Sequence, residues 1–476
     1  MKNLTGALKA DLEALKKLLP SQDILTFEFV SASGAPFAVV YADAVTDKEL
    51  LGDQVIRPLE SYSGKLTLEE VKKHVLSPEL RTQKEIEKLA EEILAGNPVL
   101  LWDCNEAIIA GTKKIFPRAV QEPPTDVTIK GPREGFIEDV KINTSLVRRR
   151  FKTEKLMIEY VEVGRISKTV VAVCYLQDTS VEEVVSSVKE KLQAIDIDYI
   201  PDSSYIAQLL SERPYSLAKQ VNTTEKPDIF CAKIAEGRVG LLVDGSPIAL
   251  TVPYLLIEDF QSSEDYYVPS YRATFTRLLR MFALLVAIYL PAFYIAAQLF
   301  KLQLFPVKLL LTIAGSIRDI PLTPSLEMLL VLLVLEVLNE ASIRMPKYVG
   351  MALSVVGALV LGETAVSAGF VSTPAIIIIA FSGIGLYAVP NLIQETSVVR
   401  LAMLLVAGSV GTYGIMLLTA FILLYLTATE SFSHSLLEPF SPLRRRDLRD
   451  SLIKYNLSSL DTRPLSIGSK NRRRLK

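Results

Sequence analysis

The chain changes character near residue 280, and this change limits the folds that are open to it. The run from Met281 to Phe300 (MFALLVAIYLPAFYIAAQLF) contains no charged side chain, and it follows a long stretch in which charges are frequent. About twenty apolar residues in succession are enough for a helix to cross the hydrocarbon core of a membrane. The sequence therefore predicts a water-soluble head followed by a membrane part.

The charges divide the chain in the same way. Residues 1–280 carry 35 basic and 42 acidic side chains, residues 281–440 carry 6 and 8, and residues 441–476 carry 11 and 3. The fold class that we predict is an α/β head of two related lobes, an α-helical transmembrane bundle and a short basic tail. The predicted bounds are 1–125 and 126–270 for the cytoplasmic lobes, 271–430 for a bundle of about four to six membrane segments, and 431–476 for the cytoplasmic tail.

The N-terminal stretch and the cysteines indicate the compartment of the head. The first residues, MKNLTGALKADLEALKKLLP, are amphipathic and charged, and they lack the apolar core of a signal peptide. Cys104, Cys174 and Cys231 lie far apart, without the paired spacing of zinc or redox sites. We expect them to be small buried apolar residues in a reducing compartment, with the head in the cytoplasm.

A weak internal repeat runs through the head. Each half has a predicted hairpin (FEFV with FAVVYAD, then MIEYVEV with VVAVCYLQD), a helical pattern and a later buried strand. In each half the hairpin and the later strand end on an aspartate, and the two aspartates are 60 or 66 residues apart: Asp43 and Asp103, then Asp178 and Asp244. Duplication and chance matching of alternating elements both explain this pattern. The aspartates are candidate helix or turn caps, or binding groups at strand ends.

The most distinctive polar stretch of the head is GPREGF (131–136) with NTSLVRRRF (143–151). Consecutive arginines suit a polyanion, but neighbouring acidic residues and the negative charge of the head oppose nucleic-acid binding. Salt bridges between lobes or between subunits are favoured. The candidate assembly cluster consists of Arg133, Glu134, Arg148, Arg149 and Arg150.

The sequence offers no set of catalytic residues. Its two histidines, His74 and His434, lie on either side of the predicted bundle. Common phosphate-binding, dinucleotide-binding, nucleophile-elbow and zinc-protease motifs are missing from the sequence. We therefore predict a protein that is not an enzyme, without catalytic, cofactor or metal sites. A membrane-anchored cytoplasmic enzyme is the remote alternative.

Five segments of the second half are candidate membrane spans: Met281–Phe300, Leu326–Leu338, Tyr348–Gly369, Pro374–Leu392 and Val398–Thr429. The stretch Val307–Ile320 is too short and polar to span, so we expect a re-entrant or interfacial helix. Basic residues at the segment edges favour cytoplasmic termini and an even number of crossings. The last candidate is long, and it either breaks at Gly408, Gly411 or Gly414 or continues into the cytoplasm.

Two features of this half suggest more than an anchor. Glu327, Glu336, Glu340 and Glu363 lie in or beside apolar segments, where ionisable groups usually face protein or water. Glu340 can pair with Arg344 four residues later, whereas Glu363 has no basic residue within helical reach. Small residues recur along 348–370, which suits either close helix packing or a narrow conduction path. The candidate pore residues are Ser354, Gly357, Ala358, Val360, Leu361, Glu363, Thr364 and Ser367.

At these stretches the chain resembles the A subunits of the GerA family of spore germinant receptors. The resemblance rests on IRPL (56–59), GPREGF with NTSLVRRR, EGRVGLLVDGSPIALTVP (236–253), IRMPKYVGMALSVVGALVLGETAVSAGFVS (343–372) and EPFSPLRRRDLRD (438–450). Ser367 and Leu332 depart from it, because acidic residues are expected there. LTPS (322–325) also replaces a more aromatic, proline-rich stretch.

The resemblance implies a role in the inner spore membrane, with both termini cytoplasmic and membrane lipids around the bundle. Its implied partners are a transporter-like B subunit that binds the nutrient, a lipoprotein C subunit and further copies of the chain, but no nucleic acid. A ring of copies would form a germinant-gated cation channel, with the assembly cluster at ring contacts and 348–370 at the pore. The alternative is a stage V sporulation AF-type paralogue that amplifies ion release, which the neighbouring genes would distinguish.

Overall fold

The fold is described from a computed structural model of the chain. It describes residues 3–64, 67–114, 130–318, 320–344 and 360–474. Within these residues a head of two lobes precedes a bundle of helices, and the tail returns from the bundle to the head.

The first lobe begins with a helix and a hairpin, and every later strand joins the same sheet. Gly34, with a φ of +82°, makes the hairpin turn in the left-handed conformation that glycine adopts without strain. The helices are α1 (Leu8–Leu18), α2 (Lys48–Leu51), α3 (Arg57–Glu60), α4 (Leu68–His74) and α5 (Ile86–Leu94); the strands are β1 (Ile24–Val30), β2 (Pro36–Ala42), β3 (Leu80–Gln83), β4 (Val99–Leu101) and β5 (Ala107–Ala110).

The second lobe repeats this succession of elements. Its helices are α6 (Val140–Arg150), α7 (Glu182–Ala194), α8 (Ser203–Leu210) and α9 (Pro227–Ala235); its strands are β6 (Leu156–Val163), β7 (Thr169–Leu176), β8 (Asn222–Thr224), β9 (Val239–Val243) and β10 (Ala249–Val252). The strand orders are β1-β2-β4-β5-β3 and β6-β7-β9-β10-β8, which are the same order. The repeat that the sequence predicted is therefore present in the topology.

Both sheets are covered by helices on each face, which explains the apolar composition of their strands. In the first lobe α1 and α5 cover one face, and the segment from α2 to α4 covers the other. In the second lobe α6 and α9 cover one face, and α7 and α8 cover the other. Each lobe therefore has three layers with a core on each side of its sheet.

The described strand pairs are all antiparallel. Short hairpin connections favour this arrangement, whereas parallel pairing needs longer crossovers. The α/β prediction is thus correct for the alternation of helices and strands, but the parallel edge that would gather strand ends into a binding crevice is not formed. The strand-end aspartates have local roles instead.

Two of these aspartates cap the first helix of their lobe. The Asp103 Oδ1 atom accepts a hydrogen bond from the Leu8 backbone nitrogen at 3.0 Å, and the Asp244 Oδ1 atom accepts one from the Val140 nitrogen at 3.2 Å. Leu8 and Val140 are the first residues of α1 and α6. These N–H groups would otherwise lack a partner, so the two aspartates do act as helix caps. The helix that each one caps lies about a hundred residues earlier in the chain and is not the next helix that the sequence suggested.

The bundle begins with α10, which continues the second lobe directly. This helix, α10, spans Ser270–Phe300. The longer helices that follow are α11 (Val307–Ile317), α12 (Pro324–Arg344), α13 (Thr373–Leu386), α14 (Ile393–Val410) and α15 (Thr412–Thr427). Gly411, with a φ of +71°, separates α14 from α15, so the predicted break in the last apolar run is confirmed. A single π-helical turn, Val360–Thr364, precedes α13.

Contacts between the helix ends define the two ends of the bundle. At the head-proximal end, Val389 and Leu392 pack with Leu255, Ile257 and Phe260 of the second lobe. At the distal end, a Cβ atom built on Gly411 would lie 2.7 Å from the ring of Phe300. α10 and α14 therefore run away from the head, and α13 and α15 run toward it.

The outer surface of the bundle is apolar. Within the described part of the chain, two helices, Ser270–Phe300 and Pro390–Val410, are long and apolar enough to cross a membrane. Large exposed apolar side chains occur on each of the longer helices, including Phe282, Phe293, Leu333, Val337, Ile377, Phe381, Ile384, Leu405, Met416, Phe421 and Leu424. A belt of this kind suits an apolar surrounding better than water.

The tail packs back onto the second lobe and the start of α10. The Ser431 hydroxyl donates to the Gln220 carbonyl oxygen at 2.5 Å and accepts from the Tyr254 nitrogen. Further along, the Arg463 Nε atom donates to the Ala235 carbonyl oxygen at 2.7 Å, and the Lys470 Nζ atom donates to the Glu182 carboxylate at 2.9 Å. Residues 431–474 are thus joined to the head by specific contacts.

Candidate functional site

Three polar centres connect the parts of this molecule, and they form the candidate functional site. The first joins the two lobes, the second joins the head and the tail to α10, and the third lies among the helices of the bundle. The sequence-predicted residues lie partly within them and partly elsewhere.

The first centre is a buried ion pair between the lobes. Arg148 of α6 donates from Nε and Nη2 to the two carboxylate oxygens of Asp23, at 2.9 and 2.7 Å. Both side chains are fully buried. The Arg148 guanidinium also donates to the Ser21 hydroxyl and to the carbonyl oxygens of Thr153 and Leu156. Because the pair is bidentate and further hydrogen-bonded, its geometry is fixed.

Backbone pairing extends this contact along the edge strand β6. The Gln22 nitrogen donates to the Ile158 carbonyl oxygen at 3.2 Å, and the Ile158 nitrogen donates to the Ser21 hydroxyl at 3.0 Å. The Gln22 side chain accepts from the Tyr160 nitrogen. The segment Ser21–Asp23 therefore covers part of an edge that would otherwise be open to pairing.

The other members of the assembly cluster lie nearer the surface. Glu134 accepts from Arg149 at 3.0 Å and from Arg150 at 2.9 Å. Burial alone would raise the pKa of the Glu134 carboxyl, but the two arginines outweigh it and the pKa is lowered. Arg133 and Arg149 are exposed. Arg148 does not belong with them, because it is enclosed between the lobes and cannot contact another molecule.

The second centre surrounds Arg277, which is fully buried near the start of α10. Its Nε atom donates to the Asp265 carboxylate at 3.0 Å, and its Nη1 atom donates to the Asp450 carboxylate and carbonyl and to the Ser451 carbonyl. Arg280 also pairs with Asp265, at 2.9 Å. One arginine therefore bonds α10 to the head and to the tail.

Neighbouring groups close this junction. The Lys454 Nζ atom of the tail donates to the Asp265 carbonyl oxygen at 2.5 Å, and the Tyr266 hydroxyl donates to the Asp450 carboxylate at 3.0 Å. Burial raises the pKa of the Asp450 carboxyl, and the positive charge of Arg277 offsets part of that shift. Movement of α10 relative to the head would have to break several of these bonds.

A related contact lies at the turn between α13 and α14. Asp259 of the second lobe accepts from Lys219 at 2.8 Å and from the Asn391 side chain at 3.4 Å, and it also accepts from the Tyr254 hydroxyl. At the end of α15, the Tyr425 hydroxyl lies 2.8 Å from the Ser216 hydroxyl. The second lobe therefore contacts α10, α14 and α15 through polar side chains.

The third centre is buried inside the bundle. Arg400 of α14 is fully buried, and its Nη2 atom donates to the Glu336 carboxylate of α12 at 2.5 Å. Its Nη1 atom donates to the Ser382 hydroxyl of α13 at 3.0 Å. Ser382 donates in turn to the Ala287 carbonyl oxygen of α10 at 2.6 Å. Four helices therefore meet at one charged group.

Two further glutamates of the bundle have defined partners. Glu340 accepts from the Arg344 Nε atom at 2.7 Å, as its spacing predicts. Glu327 is buried and accepts from the Ser372 backbone nitrogen at 2.5 Å, which caps the start of α13 from α12. Ionisable groups in such surroundings are costly unless they are paired or hydrogen-bonded.

The candidate pore residues are described only in part. Ser354, Gly357 and Ala358 lie outside the described residues. Val360 and Leu361 belong to the π-helical turn. The remaining three, Glu363, Thr364 and Ser367, are exposed, and the Ser367 hydroxyl donates to the Glu363 carbonyl oxygen at 2.7 Å.

The carboxylate of Glu363 differs from those of the other bundle glutamates. Among the described residues, no side chain pairs with it. Its position beside an apolar belt makes an exposed charge expensive in a membrane unless water or another subunit covers it. Glu363, Thr364 and Ser367 therefore form a polar surface that the described residues leave open.

Sequence reasoning missed Arg400 and the junction partners of Arg277. Arg400 carried a signal, since it is the single basic residue within the long apolar stretch from 393 to 429. Asp450 carried none, because it lies 173 residues from Arg277 in a tail that reads as basic and polar. In the part of the chain that is described, no group of three or more His, Cys, Asp or Glu side chains could hold a metal ion.

Comparison with known proteins identifies the family. The family described as Bacillus/Clostridium GerA spore germination protein matches residues 12–466. The chain is 32% identical to spore germination protein KA of Bacillus subtilis, over 97% of this chain and 86% of that protein. It is 33% identical to the membrane protein YfkQ of Bacillus subtilis, over 96% of this chain and 90% of that protein.

One solved structure is also similar, the crystal structure of the N-terminal domain of the A subunit of the Bacillus megaterium spore germinant receptor GerK3. It is 23% identical, with a TM-score of 0.42, and the likeness covers 53% of this chain and 97% of that one. Family assignment does not depend on this structure. Because the family match spans nearly the whole chain, and full-length relatives exceed 30% identity, the chain belongs to the GerA family of spore germination proteins.

Proposed function

We propose that this chain is the A subunit of a nutrient germinant receptor and that copies of it form a germinant-gated cation channel in the inner spore membrane. Family membership supports the role in germination. The observation that carries the channel proposal is the exposed polar surface of Glu363, Thr364 and Ser367 beside an apolar belt. A second copy, or water between copies, would cover it.

In this proposal the residues 348–370 line the path and the Arg400 centre holds the surrounding helices together. A buried ionic group that joins four helices resists rearrangement, because separating its members leaves charges without partners. The B subunit would bind the nutrient, and the C subunit would complete the complex.

The directions of the helices support an even number of crossings with both termini in the cytoplasm. α10, α13, α14 and α15 alternate in direction, and α12 brings the chain back to the head-proximal end, where Asn339 accepts from the Tyr387 hydroxyl at 2.7 Å. Ser372 lies beside Glu327, near the start of α12. Together with the span that the sequence predicts at Tyr348–Gly369, these directions support a proposal of six passes.

The test is nutrient-triggered potassium release from spores that carry Glu363→Gln. We expect release to slow about tenfold, equivalent to roughly 1.4 kcal/mol in the barrier, because the carboxylate no longer attracts cations. Gly357→Leu should also slow release by narrowing the path. The matched control is Glu340→Gln, which removes an exposed carboxylate paired with Arg344 and should leave release unchanged.

Receptor abundance must be equal in all strains, as measured by immunoblotting of the inner membrane. Normal release from both Glu363→Gln and Gly357→Leu would contradict the pore assignment. A strictly monomeric protein in detergent and in membranes would contradict the oligomer.

A further inference from the structure

The segment from Leu437 to Arg449 lies against the head-proximal part of α10. The side chains of Leu437 and Phe440 line a small apolar cavity together with Met281, Leu284 and Leu285. At the other end of the segment, Asp450 bonds to Arg277. Arg277 and Leu285 are about 12 Å apart along the helix, at 1.5 Å per residue. The segment therefore follows α10 across the zone where its apolar run begins.

The surface of this segment is amphipathic. Leu443 is 58% exposed and Phe440 is 39% exposed, so both present apolar surface away from the protein. The next residues, Arg444, Arg445 and Arg446, are exposed as well, as is Arg449. Apolar side chains beside arginines are the pattern of elements that lie in a membrane interface, with the charges at headgroup level.

The arginines differ in how far the protein itself uses them. Arg444 approaches the Glu438 carboxylate at 4.0 Å, and Arg449 lies over the Tyr455 ring at 6.0 Å. Among the described residues, neither Arg445 nor Arg446 has a side-chain partner. Their guanidinium groups are therefore available to an anion outside the protein, and guanidinium binds phosphate through two parallel hydrogen bonds.

We propose that this segment, the interfacial loop Leu437–Arg449, binds the phosphate headgroups of anionic phospholipids while Phe440 and Leu443 enter the interface. The charge complementarity and the position beside the start of the apolar run point to a lipid rather than a soluble anion. The inference rests on the membrane location in the proposed function. It adds a lipid site that holds the tail, and through Asp450 the start of α10, at the membrane surface.

The test uses the full-length chain, purified in a neutral detergent and reconstituted into nanodiscs of phosphatidylcholine with or without phosphatidylglycerol. Retained lipid is counted by mass spectrometry, and affinity is measured by titrating phosphatidylglycerol. Each arginine near an anionic surface contributes roughly fivefold in binding, so Arg445→Gln with Arg446→Gln should weaken phosphatidylglycerol binding about thirtyfold. Phosphatidylcholine binding should not change.

The matched control is Lys9→Gln with Lys17→Gln, which removes two exposed positive charges from α1 in the first lobe. This variant should retain phosphatidylglycerol like the wild type. Leu443→Ser provides a second test that leaves the charge unchanged. It should reduce the depth to which the loop enters the membrane, measured as quenching of a fluorescent label on the loop by spin-labelled lipids.

Equal phosphatidylglycerol affinity for the arginine variant and the wild type would overturn the inference. Full competition by soluble glycerol 3-phosphate would also overturn it, because the site would then recognise a free phosphate. Selective lipid retention that the arginine variant loses supports the inference even when potassium flux is absent. Failure of the channel proposal is thus recognised separately from failure of the lipid site.

Discussion

The two lobes of the head have the same strand order but different surroundings. In both, an aspartate after a returning strand caps the first helix, and helices cover both faces of the sheet. The first lobe contacts the second through Ser21–Asp23, whereas the second also contacts the bundle and the tail. The two lobes therefore share one architecture, and their side chains determine which lobe contacts the bundle and the tail.

The largest expected effect on the stability of the head comes from removing the ion pair between Arg148 and Asp23, which joins the lobes. Arg148→Ala leaves the buried carboxylate of Asp23 without its partner, which should destabilise the head by about 3–5 kcal/mol. Arg149→Ala on the same helix is the control, since its pair with Glu134 is partly exposed, and it should cost less than about 1 kcal/mol. Chemical denaturation of the full-length protein, followed by tyrosine and tryptophan fluorescence, measures both.

A small effect of Arg148→Ala would mean that the lobes are held together mainly by backbone pairing along β6. In that case Gln22→Pro, which removes the N–H group that donates to the Ile158 carbonyl oxygen, should lower the free energy of unfolding more than Arg148→Ala does. The comparison of these two variants separates the ion pair from the strand edge.

The intermediate effect tests whether the two lobes are equivalent. Asp103→Ala and Asp244→Ala each remove a hydrogen bond to the first residue of a helix, so each should cost about 1 kcal/mol. Hydrogen exchange of the first turns of α1 and α6 should show faster exchange in the matching lobe alone. Asp53→Ala, which breaks an exposed pair with Arg57, is the control and should leave both helices unchanged.

If the two substitutions reduce the free energy of unfolding by different amounts, the two lobes share their strand order but not the contribution of the helix cap to stability. A much larger cost at Asp244 would indicate that the surroundings of α6, which carries Arg148, have made this helix more important than its counterpart.

The smallest effect concerns pH. The pKa of Glu134 is lowered below its usual 4.5 by Arg149 and Arg150, despite burial that acts in the opposite direction. A lowered carboxyl pKa stabilises the fold above the unfolded-state value, and this contribution is lost as the pH falls through the folded-state value. Glu134→Gln should therefore be slightly less stable than the wild type at pH 7 and equal to it in strong acid. Denaturation at a series of pH values measures the difference, and parallel curves would contradict it.

Local patterns in the sequence predicted local structure well. The hairpins, the break at Gly411 and the pair of Glu340 with Arg344 all depend on residues that are near each other or on simple periodicity. The repeat was visible for the same reason, since two copies of a pattern are easier to recognise than one.

Long-range partners could not be predicted in this way. The three arginines in succession predicted salt bridges between lobes or between subunits, and Arg148 does pair with the first lobe, but nothing in the spacing pointed to its partner Asp23, 125 residues earlier. The tail was predicted only as a short basic segment. Its packing could not be predicted, because it depends on contacts of Asp450 and Lys454 with groups far back in the chain. The spacing of residues along the sequence does not indicate such pairs, because the two partners come together only when the chain folds.

The junction at Arg277 also has a consequence for the order in which the protein is made. Arg277 is synthesised before the rest of the bundle, whereas Asp450 and Ser451 are added only after the described helices of the bundle. Until then a buried guanidinium lacks part of its hydrogen bonding, which costs free energy. The hydrogen bonds of Arg277 are therefore completed only when the tail has been made. A chain that stops before residue 450 would lack the bonds from Arg277 to Asp450 and Ser451, and α10 would be less stably attached to the head.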